Sequence, residues 1–218
     1  MVWVLSARRV GSKRTRECAP VKGQPAMCER ELTAALASDL DTAFERLVIT
    51  YQPRIYGFLV RLAANRQDAE EIAQDTFLRA YRALAGYPPE RVRELRLAAW
   101  LYQIALNLFR NRLRRRSPTV SLDASAAGEA PLDVAENPRQ GPAVRAEEAE
   151  SQRELARLVA ALPPHFRVAV VLRHVEGRTY EEMARILDAP IGTVKSHTHR
   201  GTRQLRLMLT ARESEVRI

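Results

Sequence analysis

Residues 178–209, RTYEEMARILDAPIGTVKSHTHRGTRQLRLML, decide the fold. Thr179, followed three residues later by Glu182, is a capping box ahead of an apolar run, so a helix is predicted to start at Thr179. Pro190 ends this helix and is tolerated at the start of a second one. The residues that we expect the first helix to bury are Met183, Ala184 and Leu187. The stretch therefore predicts a helix-turn-helix.

The second helix of this pair has one apolar face and one polar face. The residues at helical spacing on the predicted inner face are Val194, Thr198, Gly201, Leu205 and Met208 or Leu209. Gly201 is small enough for close packing against the first helix. The opposite stripe consists of Lys195, Ser196, His199, Arg200 and Arg203.

This polar stripe suits the major groove of DNA. Lys and Arg reach guanine edges or phosphates, and Ser and His add shorter contacts. A solvated helix face is the alternative, since charged stripes are usually solvated. The turn chemistry, the inner face and the outer face all agree with a DNA-binding helix-turn-helix, and we favour DNA binding for that reason.

The composition of the 218 residues fits a nucleic-acid partner. A hydrophobic content of 46% is enough for a core, and the net charge of +9 suits a polyanion. The two cysteines, Cys18 and Cys28, support neither a disulfide framework nor a zinc site. No apolar run is long enough to span a bilayer or to form a signal peptide. We expect a cytoplasmic protein.

The first part of the chain is predicted to be a basic extension followed by a helical domain. Residues 1–38 contain Arg and Lys among Gly and Pro without a helical period, which predicts disorder. From Asp41 apolar residues recur at three- and four-residue steps, with Pro53 as a kink or break. Asp68 and Glu71 form a second capping box, and Gly86 is a plausible end of the helix that follows.

The other face of that helix is polar with one exposed leucine, which by itself is an ordinary solvated face. Its residues include Gln74, Asp75, Leu78, Arg79 and Arg82, with Glu70 and Glu71 before them.

A further helix is predicted from the sequence LAAWLYQIALNLFRNRLRRR. Trp100, Leu101, Ile104, Ala105 and Leu108 are assigned to its core face. Its basic end mixes amides, an aromatic ring and guanidinium groups, which is the composition that single-stranded DNA requires. The residues of this candidate site are Asn107, Phe109, Arg110, Asn111, Arg114 and Arg115, and the same run includes Arg112 and Arg116.

The rest of the chain is a linker and a second helical domain. Residues 118–147 are rich in Ala, Pro, Gly and acids, which predicts a flexible linker. From residue 148 a helix with Leu155, Leu158, Val159 and Leu162 on its apolar face precedes HFRVAVVLRHVEG and the helix-turn-helix. The predicted fold is all-α, with two small helical domains at residues 39–117 and 148–211 and a tail at residues 212–218.

Three segments together resemble the extracytoplasmic-function (ECF) group of bacterial sigma factors. GTVKSHTHRGTRQLR, with the preceding LPPHFRVAVVLRHVEGRTYEEMARIL, resembles the fourth conserved region of the family. DAEEIAQDTFLRAY resembles the segment that binds the clamp helices of the RNA polymerase largest subunit. The WL..IA.N...N pattern of the second conserved region is met by Trp100, Leu101, Ile104, Ala105, Asn107 and Asn111.

This resemblance implies a promoter-recognising subunit of RNA polymerase. Leu78 would be the apolar anchor for the polymerase clamp helices, with a polar surround, and the second domain would meet the polymerase flap. Asn107 and Asn111 would hold a base flipped from the minus-10 element. Lys195, Ser196 and their neighbours His199 and Arg200 would contact the minus-35 element. An anti-sigma factor is a further expected partner. Where many members have Arg after the Ser, this chain has His197, which leaves the promoter sequence open.

No catalytic site, metal site, cofactor site or small-molecule substrate is predicted. His197 and His199 are two residues apart on a helix and point to different sides, so they cannot chelate one ion. No Walker loop, nucleophile elbow or dinucleotide fingerprint occurs. The alternative function is a helix-turn-helix regulator that binds duplex DNA without being a polymerase subunit. Such a regulator needs neither the DAEEIAQDTFLRAY helix nor the WL..IA.N helix.

Overall fold

Helices account for all the regular elements of the computed structural model, which describes residues 28–63, 65–116 and 142–215. The predicted all-α class is confirmed for these residues. Five helices form the first domain, and their bounds are α1 Glu29–Ser38, α2 Leu40–Leu62, α3 Arg66–Ala85, α4 Pro89–Glu94 and α5 Leu97–Arg116. The helices of the second domain are α6 Pro142–Ala161, α7 Pro164–Val170, α8 Tyr180–Leu187 and α9 Ile191–Glu215, with a π-helical turn at Val171–Val175 after α7.

Helix α1 corrects the predicted extent of the disordered extension. Disorder was predicted up to residue 38, but Glu29–Ser38 is a helix that packs against α2 and α4. Leu32 and Leu36 are each only 3% exposed. The Glu31 carboxylate accepts a hydrogen bond from the Cys28 backbone N–H and closes a capping box. Residues 1–27 lie outside the described part of the chain.

Helix α2 runs through Pro53 without a break. Proline removes one intrahelical hydrogen bond, which costs less where water can solvate the carbonyl that is left unpaired. Pro53 is exposed, and so is Ile49 four residues earlier. The inner face of α2, with Leu47, Tyr51 and Ile55 in the core, is therefore preserved.

The start of α3 differs from its prediction. Asn65, and not Asp68, is the N-cap: the Asn65 side chain accepts a hydrogen bond from the Asp68 backbone N–H at 2.8 Å. Asp68 is the third residue of the helix and is only 3% exposed. The predicted capping box of Asp68 and Glu71 is therefore wrong. The predicted end at Gly86 is confirmed.

Helix α5 is buried on more sides than its sequence predicts. The predicted core residues Leu101, Ala105 and Leu108 are buried, while Trp100 and Ile104 are half-buried. Residues from the other side of the helix are buried as well: Tyr102, Leu106 and Phe109. Helix α8 of the second domain packs against α5, and Tyr102 also contacts Phe58 of α2.

The second domain begins earlier than predicted. Helix α6 starts at Pro142, six residues before position 148, so residues 142–147 of the predicted linker are helical. The rest of the predicted linker lies outside the described part of the chain. Leu158 and Leu162 are buried as predicted, but Leu155 is 45% exposed and is not a core residue. Helix α6 packs against both α2 and α9, so its buried face is set by two neighbours.

The helix-turn-helix is confirmed. Thr179 is the N-cap of α8; its hydroxyl accepts from the Glu182 N–H at 3.2 Å, and Glu182 accepts from the Thr179 N–H at 2.8 Å. Asp188 adopts a left-handed conformation with φ 50°, and α9 begins directly after Pro190. Within α8, Met183 and Ile186 are fully buried, whereas the predicted core residues Ala184 and Leu187 are half-buried.

Candidate nucleic-acid interface

Helix α9 has the inner face that the sequence predicts. Val194, Thr198 and Leu205 are between 0% and 9% exposed, and Met208 is half-buried, while Leu209 is exposed. Gly201 also lies on this face but packs against α7, not against the first helix of the motif. A Cβ added at Gly201 would lie 2.7 Å from Val170 Cγ2 and 3.2 Å from Phe166 Cβ.

The outer face of α9 is open to solvent and basic. Lys195, His199, Arg200 and Arg203 are exposed and Ser196 is half-buried. Because these residues are spaced by three or four positions, they form one stripe along the helix. The side chains of the stripe are cations and hydrogen-bonding groups without a large apolar residue, which is the chemistry that base edges and phosphates require.

His197 lies on a different side of α9 from His199. Its ring is half-buried, 5.1 Å from the ring of His165 and 5.7 Å from that of Phe166. Desolvation lowers the pKa of His197, and the neighbouring His165 and Arg200 lower it further. Within the described ranges no three His, Cys, Asp or Glu side chains come close enough to hold a metal ion. The His197 ring therefore packs against His165 and Phe166, next to the exposed basic stripe of α9.

The basic end of α5 lines an open groove of about 700 Å³. Its lining residues are Asn107, Arg110, Asn111, Leu113 and Arg114. Asn107, Arg110, Arg114 and Arg115 are exposed. Asn111 is half-buried, and its amide oxygen accepts a hydrogen bond from the Arg114 guanidinium. The structure thus brings five of the six predicted residues to one exposed helix end.

Phe109 is the exception, because the packed arrangement of the two domains does not expose it. Its side chain is only 3% exposed. It lines a cavity of about 290 Å³ between the domains, together with His165 of α7 and Val194 of α9. Because the second domain covers it, Phe109 offers no face on which a base could stack in this arrangement.

The candidate polymerase-binding face of α3 is fully exposed. Its residues Gln74, Asp75, Leu78, Arg79 and Arg82 are all accessible, and Leu78 is 48% exposed. Phe77 and Ala80 on the opposite side of α3 are buried in the core. A large apolar side chain surrounded by exposed polar ones is the usual arrangement of a protein interface.

A set of polar contacts between the domains was not predicted from the sequence. The Tyr102 hydroxyl of α5 lies 2.5 Å from Glu176 Oε2, and the Arg178 guanidinium lies 4.9 Å from the Tyr102 ring centroid. Desolvation raises the pKa of Tyr102, and the Glu176 carboxylate raises it further. Gln103 Nε2 donates to the Arg185 carbonyl oxygen at 2.7 Å. These contacts join α5 to the helix-turn-helix.

Arg167 of α7 makes a second polar connection between the domains. Its guanidinium donates to the carbonyl oxygens of Leu62 at 2.7 Å and Leu162 at 3.1 Å, and also to that of Ala160. These carbonyls lie at the ends of α2 and α6, where a cation interacts favourably with the helix dipole. Burial lowers the pKa of Arg167. The sequence gives no signal for such a contact, because its partners are backbone atoms.

Two family models match the chain, Sigma-70 region 2 at residues 47–119 and Sigma-70, region 4 at residues 152–205. The ECF RNA polymerase sigma factor SigW of Bacillus subtilis is 33% identical over 187 residues, which cover 84% of this chain and 97% of SigW. The RNA polymerase sigma-H factor of Pseudomonas aeruginosa is 34% identical, covering 72% and 81% of the two chains. SigE of Mycolicibacterium smegmatis is 35% identical over 79% of this chain and 64% of its own length.

Solved structures agree in fold. CnrH, in complex with the cytosolic domain of CnrY, is 24% identical and superposes with a TM-score of 0.59 over 84% of this chain and 97% of its own. The sigma factor RpoE of Bartonella quintana, in complex with the anti-sigma factor NepR, is 24% identical with a TM-score of 0.58, over 77% of this chain and 96% of its own.

The chain belongs to the ECF family of RNA polymerase sigma factors. It is a transcription-initiation factor, and its two matched regions are those with which sigma factors bind core RNA polymerase and promoter DNA. The alternative of a regulator without a polymerase role is not supported, because both sigma-factor models match this chain and SigW matches along 97% of its length. No described helix combines the length and the apolar character needed to cross a membrane.

Proposed function

We propose that this sigma factor uses three separate surfaces to start transcription. The face of α3 around Leu78 binds the clamp helices of the polymerase largest subunit. The outer stripe of α9 reads the minus-35 element, and the basic end of α5 opens the minus-10 element. The observation that supports the proposal best is that all three surfaces are exposed on helices whose opposite faces are buried.

On the minus-35 element, Arg200 and Lys195 are the cationic readers. Both are exposed near the N-terminal end of α9, the part of a recognition helix that enters the major groove. Ser196 and His199 add shorter hydrogen bonds, and Arg203, one turn further on, is placed for a phosphate. Val194 fixes the rotation of the helix, because it is fully buried next to Lys195.

On the minus-10 element, Asn107 and Asn111 hold the extruded base while Arg110, Arg114 and Arg115 bind the backbone. The two amides lie one helical turn apart on the open groove of α5. The contact between Arg114 and Asn111 orients one of them. A preoriented amide loses less conformational freedom when it binds a base.

The protein acts through binding and catalyses no covalent step itself, and we propose that it works in the cytoplasm, where core polymerase and chromosomal DNA are. An anti-sigma factor is a further partner. The support for it is that two proteins with the same fold, CnrH and RpoE, were solved in complex with CnrY and with the anti-sigma factor NepR.

Both promoter elements can be bound only after the two domains separate. The minus-35 and minus-10 elements are about 25 base pairs apart, which is about 85 Å of duplex at about 3.4 Å per base pair. In the structure, His197 of the recognition helix and Arg110 of α5 line the same cavity. We therefore propose that the packed arrangement is a closed form and that polymerase binding selects an open one.

Run-off transcription tests the proposal. Core RNA polymerase is incubated with the purified chain and a library of genomic promoter fragments, and the transcripts are sequenced. We expect transcripts that start downstream of a shared pair of elements. The Leu78→Arg and Arg200→Ala variants are tested alongside, because the first should yield fewer transcripts when the sigma factor is limiting and the second should change which fragments are selected. A chain that binds no core enzyme and yields no transcript would refute the proposal.

A further inference from the structure

Arg112 differs from the other arginines at the end of α5 in its partners. Arg110, Arg114 and Arg115 are exposed, whereas the Arg112 side chain is 36% exposed and forms ion pairs with α3. Its Nη2 lies 2.5 Å from Asp68 Oδ1 and its Nη1 lies 2.7 Å from Glu71 Oε2. One guanidinium therefore joins two carboxylates that are three residues apart on another helix.

Burial makes this contact difficult to release. The side chain of Asp68 is only 5% exposed. Removing the cation from a buried carboxylate leaves an uncompensated charge, which strongly destabilises the folded state. Glu71 is held on its other oxygen by Gln67 Nε2 at 3.2 Å. The two carboxylates, Glu71 foremost, raise the pKa of Arg112. A DNA phosphate would have to compete with both of them for the same guanidinium.

The ion pairs lie between two of the proposed functional surfaces. On α3, Glu71 is followed within one turn by Gln74, the first residue of the polymerase-binding face. On α5, Arg112 directly follows Asn111 of the minus-10 groove. Ion pairs at this place fix the angle between the helix that binds polymerase and the helix end that opens DNA.

We infer that Arg112 is a positioning residue for promoter opening and not a DNA contact. This inference rests on the proposed function of α3 and α5 and adds a role within it. Arg112 holds the amide and guanidinium groups of α5 in a fixed orientation relative to the polymerase. Misplacement of such groups by about 1 Å costs up to about 100-fold in rate in preorganised sites.

Three variants test the inference in the holoenzyme. Glu71→Gln removes one partner at an exposed position, where the folding cost is small. The pair Asp68→Asn with Arg112→Gln removes both charges of the buried contact, leaves the net charge unchanged and retains groups that can hydrogen-bond each other. Arg110→Gln, on the same helix two residues earlier, is the matched control for loss of a phosphate-binding arginine. Circular dichroism melts establish that each variant is folded.

Three measurements distinguish a positioning role of Arg112 from a DNA contact. They use core polymerase and the most active promoter fragment from the run-off assay. We expect the double variant and Arg110→Gln to bind core enzyme within about two-fold of wild type, because their residues lie away from the Leu78 face. Glu71 lies on the same face of α3 as Leu78, so Glu71→Gln is compared at a concentration that saturates core enzyme. Permanganate reactivity of the minus-10 thymines should fall by about 10- to 100-fold in the double variant and less in Glu71→Gln. The slope of log affinity against log salt for the holoenzyme on promoter duplex should decrease by about 0.9 only in Arg110→Gln.

Two results would overturn the inference. If the double variant lowers the salt slope as Arg110→Gln does, Arg112 binds a phosphate. If the double variant is folded and opens DNA at the wild-type level, the ion pairs have no positioning role. Failure of the wild-type chain to bind core enzyme or to open DNA is a different result, because it would refute the proposed function itself.

Discussion

Leu78 is a large apolar side chain that is 48% exposed in the middle of a polar helix face. Replacing it with Arg puts a cation at the apolar centre of the proposed polymerase interface. We expect Leu78→Arg to weaken binding to core enzyme by about 2 kcal/mol or more, as hot-spot substitutions do. The free energy of unfolding should change by less than about 0.5 kcal/mol, because the side chain is exposed. Fluorescence anisotropy with core enzyme and a thermal melt measure the two quantities.

Leu207→Arg is the matched control for this substitution. Leu207 is 63% exposed on α9, away from α3, so the same change of side chain should leave affinity for the isolated clamp helices unaltered. Equal loss of affinity in both variants would mean that added positive charge, and not the α3 face, is responsible.

Arg200 and Leu205 lie on opposite sides of α9, and their substitutions should have opposite consequences. Arg200→Ala should cost about 1–3 kcal/mol of discrimination between matched and scrambled minus-35 elements, with little change in stability. Leu205 is only 9% exposed in a cluster with Leu158 and Leu162, so Leu205→Ala should destabilise the chain by about 2–5 kcal/mol. Competition binding and thermal melts of the full chain measure both. A stable Leu205→Ala variant with altered sequence preference would show that Leu205 reads DNA.

His197 gives the stability of the chain a pH dependence with a definite sign. Desolvation, followed by the charges of His165 and Arg200, lowers its pKa in the folded state below the usual value of about 6.5. The unfolded chain then binds more protons, so stability rises with pH through this window and falls as the pH drops from about 7 to about 5. We expect His197→Gln to reduce this fall in melting temperature. The control is His199→Gln, which removes the same ring from an exposed position two residues away, and a similar effect of both would contradict the assignment.

At the level of helices, the sequence predicts best where the signal is local. Thr179 and Glu182 are three residues apart and Pro190 acts on its own neighbours, so the helix-turn-helix could be placed to within one residue. The start of α3 was missed because Asn65 and Asp68 are both good N-caps and local chemistry does not choose between them. Helix α1 was missed because it is only ten residues long and its stability comes from packing against α2 and α4.

The contact between α7 and α9 depends on Gly201. An added Cβ would lie 2.7 Å from Val170 Cγ2 and 3.3 Å from the Phe166 carbonyl oxygen, so one of the helices must move. Overpacking of this kind costs about 1–3 kcal/mol, while the better helix propensity of Ala returns up to about 1 kcal/mol. We expect Gly201→Ala to destabilise the chain, as measured by chemical denaturation. Gly192→Ala near the start of the same helix meets nothing within 4 Å and should be neutral or slightly stabilising.

At the level of the whole molecule, the contacts between the domains could not be predicted from the sequence. Tyr102 and Glu176 are 74 positions apart, and each fits an ordinary helix by its own pattern. Phe109 belongs to the predicted groove by sequence, but in the structure it is buried and lines the cavity between the domains. The exposed residues of the two proposed DNA-binding surfaces were predictable because helical periodicity separates inner from outer faces within each helix. The relation between the two surfaces depends on tertiary contacts and was not predictable.

A covalent link between α5 and α8 should hold the closed form and stop transcription. Gln103 Nε2 lies 2.7 Å from the Arg185 carbonyl oxygen, so the variant Gln103→Cys with Arg185→Cys, with Cys18→Ser and Cys28→Ser to remove the natural thiols, can be bridged by a short bis-maleimide. We expect the bridged chain to bind core enzyme through the exposed face of α3. It should yield no run-off transcript, because its two DNA-binding surfaces cannot span about 85 Å.

The same four-fold variant without the reagent is the control, and it should transcribe at the wild-type level, which shows that the substitutions themselves are tolerated. Reagent added after the polymerase has bound should no longer bridge the two cysteines, because the open form separates them. A bridged chain that transcribes normally would show that promoter recognition does not require separation of α5 from α8, and the packed arrangement would then be part of the active form.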